Sequence, residues 1–117
     1  MTDFEKYAIL QINKEDKQGI MIDFEWDIAK ENKNLRKHHV AFNEAATVLK
    51  DVMSITIYDP DHSDDEDRLI TVGTSVTGRL LMVSHTDRND RTRIISAREL
   101  TRKEREAYEN EIQRRKG

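Results

Sequence analysis

The sequence predicts an α+β fold: an opening strand, two N-terminal helices, an antiparallel four-stranded meander sheet and one C-terminal helix. Three observations predict it. Residues 28–50 are dense in helix-forming side chains and open on a capping residue. Four stretches between residues 53 and 98 alternate in hydropathy and are separated by polar or Gly-containing turns. Thr101 and Glu104 stand at capping-box spacing. Helices gathered before strands are the pattern of an α+β domain.

Each element has its own signal. Tyr7 to Ile12 reads as a short strand, and Lys14 to Gly19 as a polar turn. Ile22 to Asp27 alternates apolar and acidic side chains, a strand pattern. Asp27 can accept the orphan N–H groups of a first helix over Ile28 to His38. Asn43 to Lys50 is the second helix, with Ala45, Ala46, Val48 and Leu49 turned inward. The meander strands are Met53–Tyr58, Arg68–Ser75, Arg79–Thr86 and Arg91–Arg98. An acidic loop from Asp59 to Glu66 holds the single proline and joins the first two. Val76 to Gly78 forms a hairpin turn, with Gly78 where a positive φ is needed. Asp87 to Asp90 joins the last pair. The final helix runs from Thr101 to about Lys116, is polar nearly all round, and is expected to dock weakly.

Composition narrows the function classes. The 117 residues are one domain's worth, 36% hydrophobic and 37% charged, so one modest core is the limit. Cysteine is absent, which excludes disulfide scaffolds and Cys-based zinc sites. No apolar run exceeds four residues, so no transmembrane helix or secretory signal is read, and a cytoplasmic address is expected. The net charge of −3 hides a polarity. Residues 1–67 carry 8 Lys+Arg against 16 Asp+Glu, and residues 68–117 carry 12 against 7. A basic half suggests a surface facing a polyanion or an acidic partner; segregated solvated faces are the plain alternative.

Three features are candidates for chemistry. His38, His39, His62 and His85 lack metal-ligand spacing, so no metal or other cofactor is expected. Arg79, Leu81, Val83 and His85 share a strand face; Arg91 and Arg93 share a face of the next strand, and a strict period of two puts Arg98 on the opposite one. Arginines in such strands either form a cationic surface that grips phosphate or sit in salt bridges with Asp87, Asp90 or Glu99. Asp59 to Asp67 carries six carboxylates but lacks the glycine and terminal glutamate of a calcium loop, and reads as solvated.

Several strings together resemble one family. They are Phe24-Glu25-Trp26-Asp27-x-x-Lys30, Asn34-Leu35-x-Lys37-His38-x-Val40-x-Phe42-x-Glu44-Ala45, Asp59-Pro60-Asp61-His62-Ser63 and Gly78-Arg79-Leu80-Leu81. His85-Thr86-x-Arg88 and Arg93-Ile94-Ile95-Ser96-Ala97-Arg98 follow, ahead of the last helix. In this order they resemble the BrnT family, the toxins of a type II toxin–antitoxin pair, over about residues 22–110. Two departures stand out. The family's Lys-His-Gly-Val is Lys37-His38-His39-Val40 here, so a histidine takes the place of a left-handed glycine cap. Family members begin near Phe24, so residues 1–20 are read as an N-terminal extension and 21–117 as the toxin domain, with Met21 as the alternative start.

The resemblance implies a RelE-like fold and a metal-independent endoribonuclease that inhibits translation. It implies a BrnA-like ribbon-helix-helix antitoxin as partner, an RNA substrate, and operator DNA met only through the antitoxin, with no membrane. In that chemistry the ribose 2′-hydroxyl attacks the adjacent phosphate, which calls for a base, an acid and cations on the phosphorane. Arg79, Arg93 and Arg98 are the expected phosphate groups. His38 and His85 are the expected acid and base, with Glu25 a further base, and Arg68, Arg88 and Arg91 are expected to bind RNA. Arg79 and His85 stand six residues apart on one strand, roughly 20 Å, so one phosphate cannot touch both. The alternatives are a non-catalytic antitoxin-binding partner that modulates operon repression, and a small RNA-binding module.

Overall fold

The computed structural model describes residues 7–15, 21–59, 61, 67–88 and 91–116. The chain runs β1 (Tyr7–Glu15), β2 (Met21–Asp27), α1 (Ile28–His38), α2 (Phe42–Val48), β3 (Ile55–Tyr58), β4 (Arg68–Thr74), β5 (Leu80–Arg88), β6 (Arg91–Glu99) and α3 (Arg102–Lys116). The fold is α+β with three helices, as the sequence predicts. The helix ends are set by local chemistry. Asp27 Oδ1 accepts the N–H groups of Ala29 and Lys30 at 2.8 and 3.2 Å and opens α1. His39 closes it at φ 59°, donating its N–H to the Leu35 carbonyl at 3.0 Å. Thr101 and Glu104 exchange the two bonds of a capping box at 2.8 and 3.2 Å and open α3. Gly78 takes the positive φ, +88°, that its turn requires.

The sheet corrects the expected topology. The meander β3–β6 forms as predicted, but it is part of a mixed six-stranded sheet in the order β1-β2-β6-β5-β4-β3. β2 pairs in parallel with β6, Asp23 to Trp26 against Arg91 to Ile94, so five strands from β2 onward form a mixed sheet. β1 adds a sixth, antiparallel to β2 from Tyr7↔Asp27 to Gln11↔Asp23. Nothing local announces the β2–β6 pair: more than sixty residues separate its partners, and the alternation of Ile22 to Asp27 says only that a strand forms.

One face of the sheet carries the core. Phe24 and Trp26 from β2, Leu81 and Val83 from β5, and Ile94 and Ala97 from β6 pack against Phe42, Ala45, Ala46 and Val48 of α2. Trp26 and Phe42 meet edge to face with centroids 6.1 Å apart. Full burial of Leu81, Val83, Ile94 or Val48 stabilises the fold by about 1.5–3 kcal/mol over leaving that side chain exposed. Glu31 ties the helices to this core, accepting from Trp26 Nε1 at 3.2 Å and from the Phe42 N–H at 2.8 Å. α3 buries no residue and reaches the rest of the chain through Glu104 and through the Tyr108 hydroxyl, which donates to the Met53 carbonyl. Among the described residues no helix is long and apolar enough to cross a membrane.

Candidate active site

The second face, away from α2, holds the candidate site, and a single irregularity builds it. Ser84 pairs with Ser96, yet the next residue, His85, pairs with Ile94. Ile95 is therefore an extra residue in β6, a β-bulge. The bulge resets the alternation. Arg91, Arg93, Ser96 and Arg98 oppose Arg88, Thr86, Ser84 and Met82, so all four point to one face. The strict period of two that places Arg98 opposite Arg93 fails at this bulge.

α1 reaches the same region from the side. β2 leaves β6 after Ile94, and Asn34 takes its place at the open edge. The buried Asn34 amide accepts from the Ala97 N–H at 3.1 Å and donates to the Ala97 and Val40 carbonyls at 2.8 and 3.0 Å. A side chain thus replaces a strand, and Lys37 and His38 are brought one turn later to the rim of the sheet. Here lies a pocket of about 310 Å3 lined by Lys37, His38, Ile70, Met82, Ser84, Ser96, Ala97 and Arg98. That is the size class of small-ligand sites. Among the described residues no carboxylate lines it.

The electrostatics suit a base and an anion. Partial burial, with the charges of Lys37, Arg98 and His39 nearby, holds the His38 imidazole below its ordinary 6.5. It is neutral near pH 7 and able to accept a proton. Arg98 lies on the pocket wall with its guanidinium fixed by Glu104, at 2.8 Å from Nη1 and 2.9 Å from Nη2. Ser84 and Ser96 add hydroxyls on facing strands.

The structure brings together His38 and Arg98 of the expected site residues and spreads the rest. Arg79 points to the helical side, where Nε and Nη2 bond the Glu44 carboxylate and Nη2 also donates to the His39 carbonyl at 3.2 Å. Glu44 also accepts from Ser75 and Thr77, and its carboxyl is held down to about 2, chiefly by the Arg79 hydrogen bonds. His85 is 3% exposed on the core side, between Thr71 Oγ1 at 2.7 Å and Asp87 Oδ1 at 3.0 Å. Glu25, Arg91 and Arg93 do share the second face. There the buried Glu25 accepts from Arg91 Nη1 at 3.1 Å and from Arg93 Nε and Nη2 at 3.2 and 3.1 Å. Arg68 sits half-buried on this face opposite Thr86, and the Arg88 backbone pairs with Arg91. The salt-bridge reading of the strand arginines holds for Arg79, Arg91, Arg93 and Arg98, with partners that lie mostly outside the neighbouring turns.

His62, most of the acidic loop, Asn89 and Asp90 lie outside the described residues, as does the Arg88 side chain. Among the described residues no three His, Asp or Glu side chains gather as metal ligands would. Lys37, Ser84 and Ser96 are pocket residues that sequence reasoning did not single out. Lys37 carries a signal, since it precedes His38 in the Lys-His string; the serines carry none.

Comparison with curated proteins returns no match. Among solved structures the chain is similar to the 1.1 Å crystal structure of the Brucella abortus ribonuclease toxin BrnT. That similarity is at 21% identity and TM-score 0.49, over 66% of this chain and 94% of that one. A family model described as the ribonuclease toxin BrnT of type II toxin–antitoxin systems matches residues 26–104. The match runs from Trp26 at the end of β2, through α1 and the bulged β6, to Glu104, and so takes in the whole pocket. Covering more than half of the sequence, it shows that the chain belongs to the BrnT family of ribonuclease toxins.

Proposed function

We propose that the chain is a RelE-like, metal-independent endoribonuclease whose reaction occurs in the pocket between α1 and the second face of the sheet. The observation that carries this reading is the meeting of a neutral His38 with Arg98 and Lys37 at one site. The His38 imidazole takes the proton of a ribose 2′-hydroxyl. The oxygen attacks the adjacent phosphorus, and the bond to the 5′-oxygen breaks, leaving a 2′,3′-cyclic phosphate. The departing 5′-oxygen is protonated from solvent at the open mouth. Arg98 and Lys37 place positive charge where the phosphorane gains negative charge, the kind of preorganised stabilisation that lowers such a barrier most. Arg98 acts here as a positive charge held in place, since Glu104, the Glu99 carbonyl and Met82 Sδ take the N–H groups of both its Nη nitrogens. On this reading Arg79 and His85 hold the fold, and the Glu25–Arg91–Arg93 cluster flanks the site.

A toxin of this kind acts in the cytoplasm, where its RNA is, and is neutralised there by a BrnA-like ribbon-helix-helix antitoxin. The complex meets operator DNA through the antitoxin. The test is purified chain with single-stranded RNA in excess chelator. The expected result is cleavage with cyclic-phosphate ends, abolished by stoichiometric antitoxin. Cleavage that stops in chelator and returns with a divalent ion contradicts the mechanism. Binding without cleavage at any metal concentration contradicts the enzyme reading.

A further inference from the structure

α1 carries a second feature that the chemistry above does not use. Lys30, Lys33 and Lys37 stand three and seven residues apart and share one exposed stripe of the helix. Glu31 is the single acid of α1, and it is turned away, both oxygens engaged by Trp26 Nε1 and the Phe42 N–H. Among the described residues no acidic side chain of α1 therefore opposes the stripe. It forms the wall of a shallower groove of about 180 Å3 whose floor holds the bulged Ile95. This groove and the pocket share Lys37, His38 and Ser96, so one runs into the other.

We propose that this groove is the seat of the nucleotide next to the scissile phosphate in a single-stranded RNA, with Lys30 and Lys33 on its backbone phosphates and Ile95 beneath its base or ribose. The inference rests on the placement of the reaction at His38 and Arg98. Lys30 to Lys37 spans roughly 10 Å along the helix axis, a track long enough for successive phosphates. Lysine ammonium groups bind phosphates as mobile point charges, which suits positioning without base selection. An apolar side chain flanked by cations suits an unstacked nucleotide; strict alternation already puts Ile95 on the face of Arg93, and the bulge adds Ser96 beside it. The same helix thus holds the reacting phosphate at its C-terminal end and the neighbouring backbone along its length.

The test uses the full chain and a fluorescein-labelled 2′-O-methyl octaribonucleotide, which binds but cannot be cleaved. Lys30→Gln/Lys33→Gln is expected to weaken binding about tenfold at 0.1 M salt and to flatten the slope of log affinity against log salt by about 1.4, two single-strand phosphate contacts. Lys30→Arg/Lys33→Arg keeps both slope and affinity. Ile95→Ser weakens binding a few-fold with the slope unchanged. With cleavable RNA the Gln variant raises KM and leaves kcat unchanged. Unchanged affinity and slope in a folded Gln variant overturn the proposal, as does loss of antitoxin binding with RNA binding intact. Because the probe is uncleavable, the groove and the chemistry fail separately: full cleavage by His38→Ala overturns the assignment of the base and leaves the binding result standing.

Discussion

Glu104 holds Arg98 by both nitrogen termini, at 2.8 and 2.9 Å, and so joins the first turn of α3 to the wall of the pocket. The same carboxylate accepts the Thr101 N–H at 2.8 Å, so helix capping and arginine placement are one arrangement. The Arg98 hydrogen bonds hold Glu104 down to about 2. Both side chains are about a third exposed, 37% and 31%, so solvent screens the pair and its stability contribution is about 0–1 kcal/mol. Its consequence lies in aiming the guanidinium.

Arg98→Ala is therefore expected to lose cleavage by about 10²–10³-fold, the scale of one preorganised donor, with a melting temperature within a few degrees of the parent. Single-turnover cleavage and a thermal melt on the same preparation check both parts. Full activity in a folded Arg98→Ala would remove the pocket's arginine from the chemistry.

Glu44 and Arg79 have the opposite balance. Glu44 is 13% exposed, and its pair with Arg79 ties the turn at Ser75 to Gly78 onto α2. Its folded value of about 2 lies below its ordinary 4.5. The stabilisation is present above pH 4.5 and is lost as the pH falls toward 2, on the order of 3 kcal/mol. Denaturant unfolding from pH 6 to pH 2.5 should show this loss, and Glu44→Gln should remove that part of the slope. Arg79→Ala should lower stability at neutral pH and leave cleavage by the remaining folded protein intact.

The cap at the end of α1 makes a backbone prediction. His39 sits at φ 59° and ψ 33°, the left-handed region that costs an L-residue roughly 1 kcal/mol or more and costs glycine little. His39→Gly should be neutral or stabilising by about 1 kcal/mol in a denaturant melt. A destabilised variant would mean that the exposed imidazole makes a contact worth more than the strain.

This cap shows which parts of the molecule were legible beforehand. Asp27, His39, Gly78 and the Thr101–Glu104 box act within a few residues of themselves, so α1, the β4–β5 turn and the start of α3 could be read directly. What could not be read depends on distant partners. The β2–β6 pairing joins the two ends of the domain, and the bulge at Ile95 shows only against β5. That one extra residue moved Arg98 to the face of Arg93 and made a pocket with His38, whereas strict alternation kept them apart. The partners of the strand arginines, Glu25, Glu44 and Glu104, come from other elements, and only Glu99, 3.9 Å from Arg79, was foreseen among them.

The first strand carries a further prediction. β1 covers β2 over the stretch that supplies Phe24 and Trp26 to the core. Removing residues 1–20 turns β2 into an edge and takes away its outer ladder of hydrogen bonds. The truncated chain should fold, since the α2 core is intact, but melt about 5–10 °C lower, equivalent to about 1–2 kcal/mol. An unchanged melting temperature would show that the β1–β2 pairing contributes nothing to stability.

The proposed role of His38 is that of the base that starts the reaction, and the pH dependence of RNA cleavage tests it most directly. Burial and the charges of Lys37, Arg98 and His39 lower its pKa, so its proton-accepting form prevails above a midpoint under 6.5. Single-turnover cleavage by the full chain should rise with pH, level off above that midpoint, and fall by about 10²–10⁴-fold in His38→Gln, with the rising limb gone. A folded His38→Gln protein that cleaves at the parent rate with the same limb would contradict the assignment.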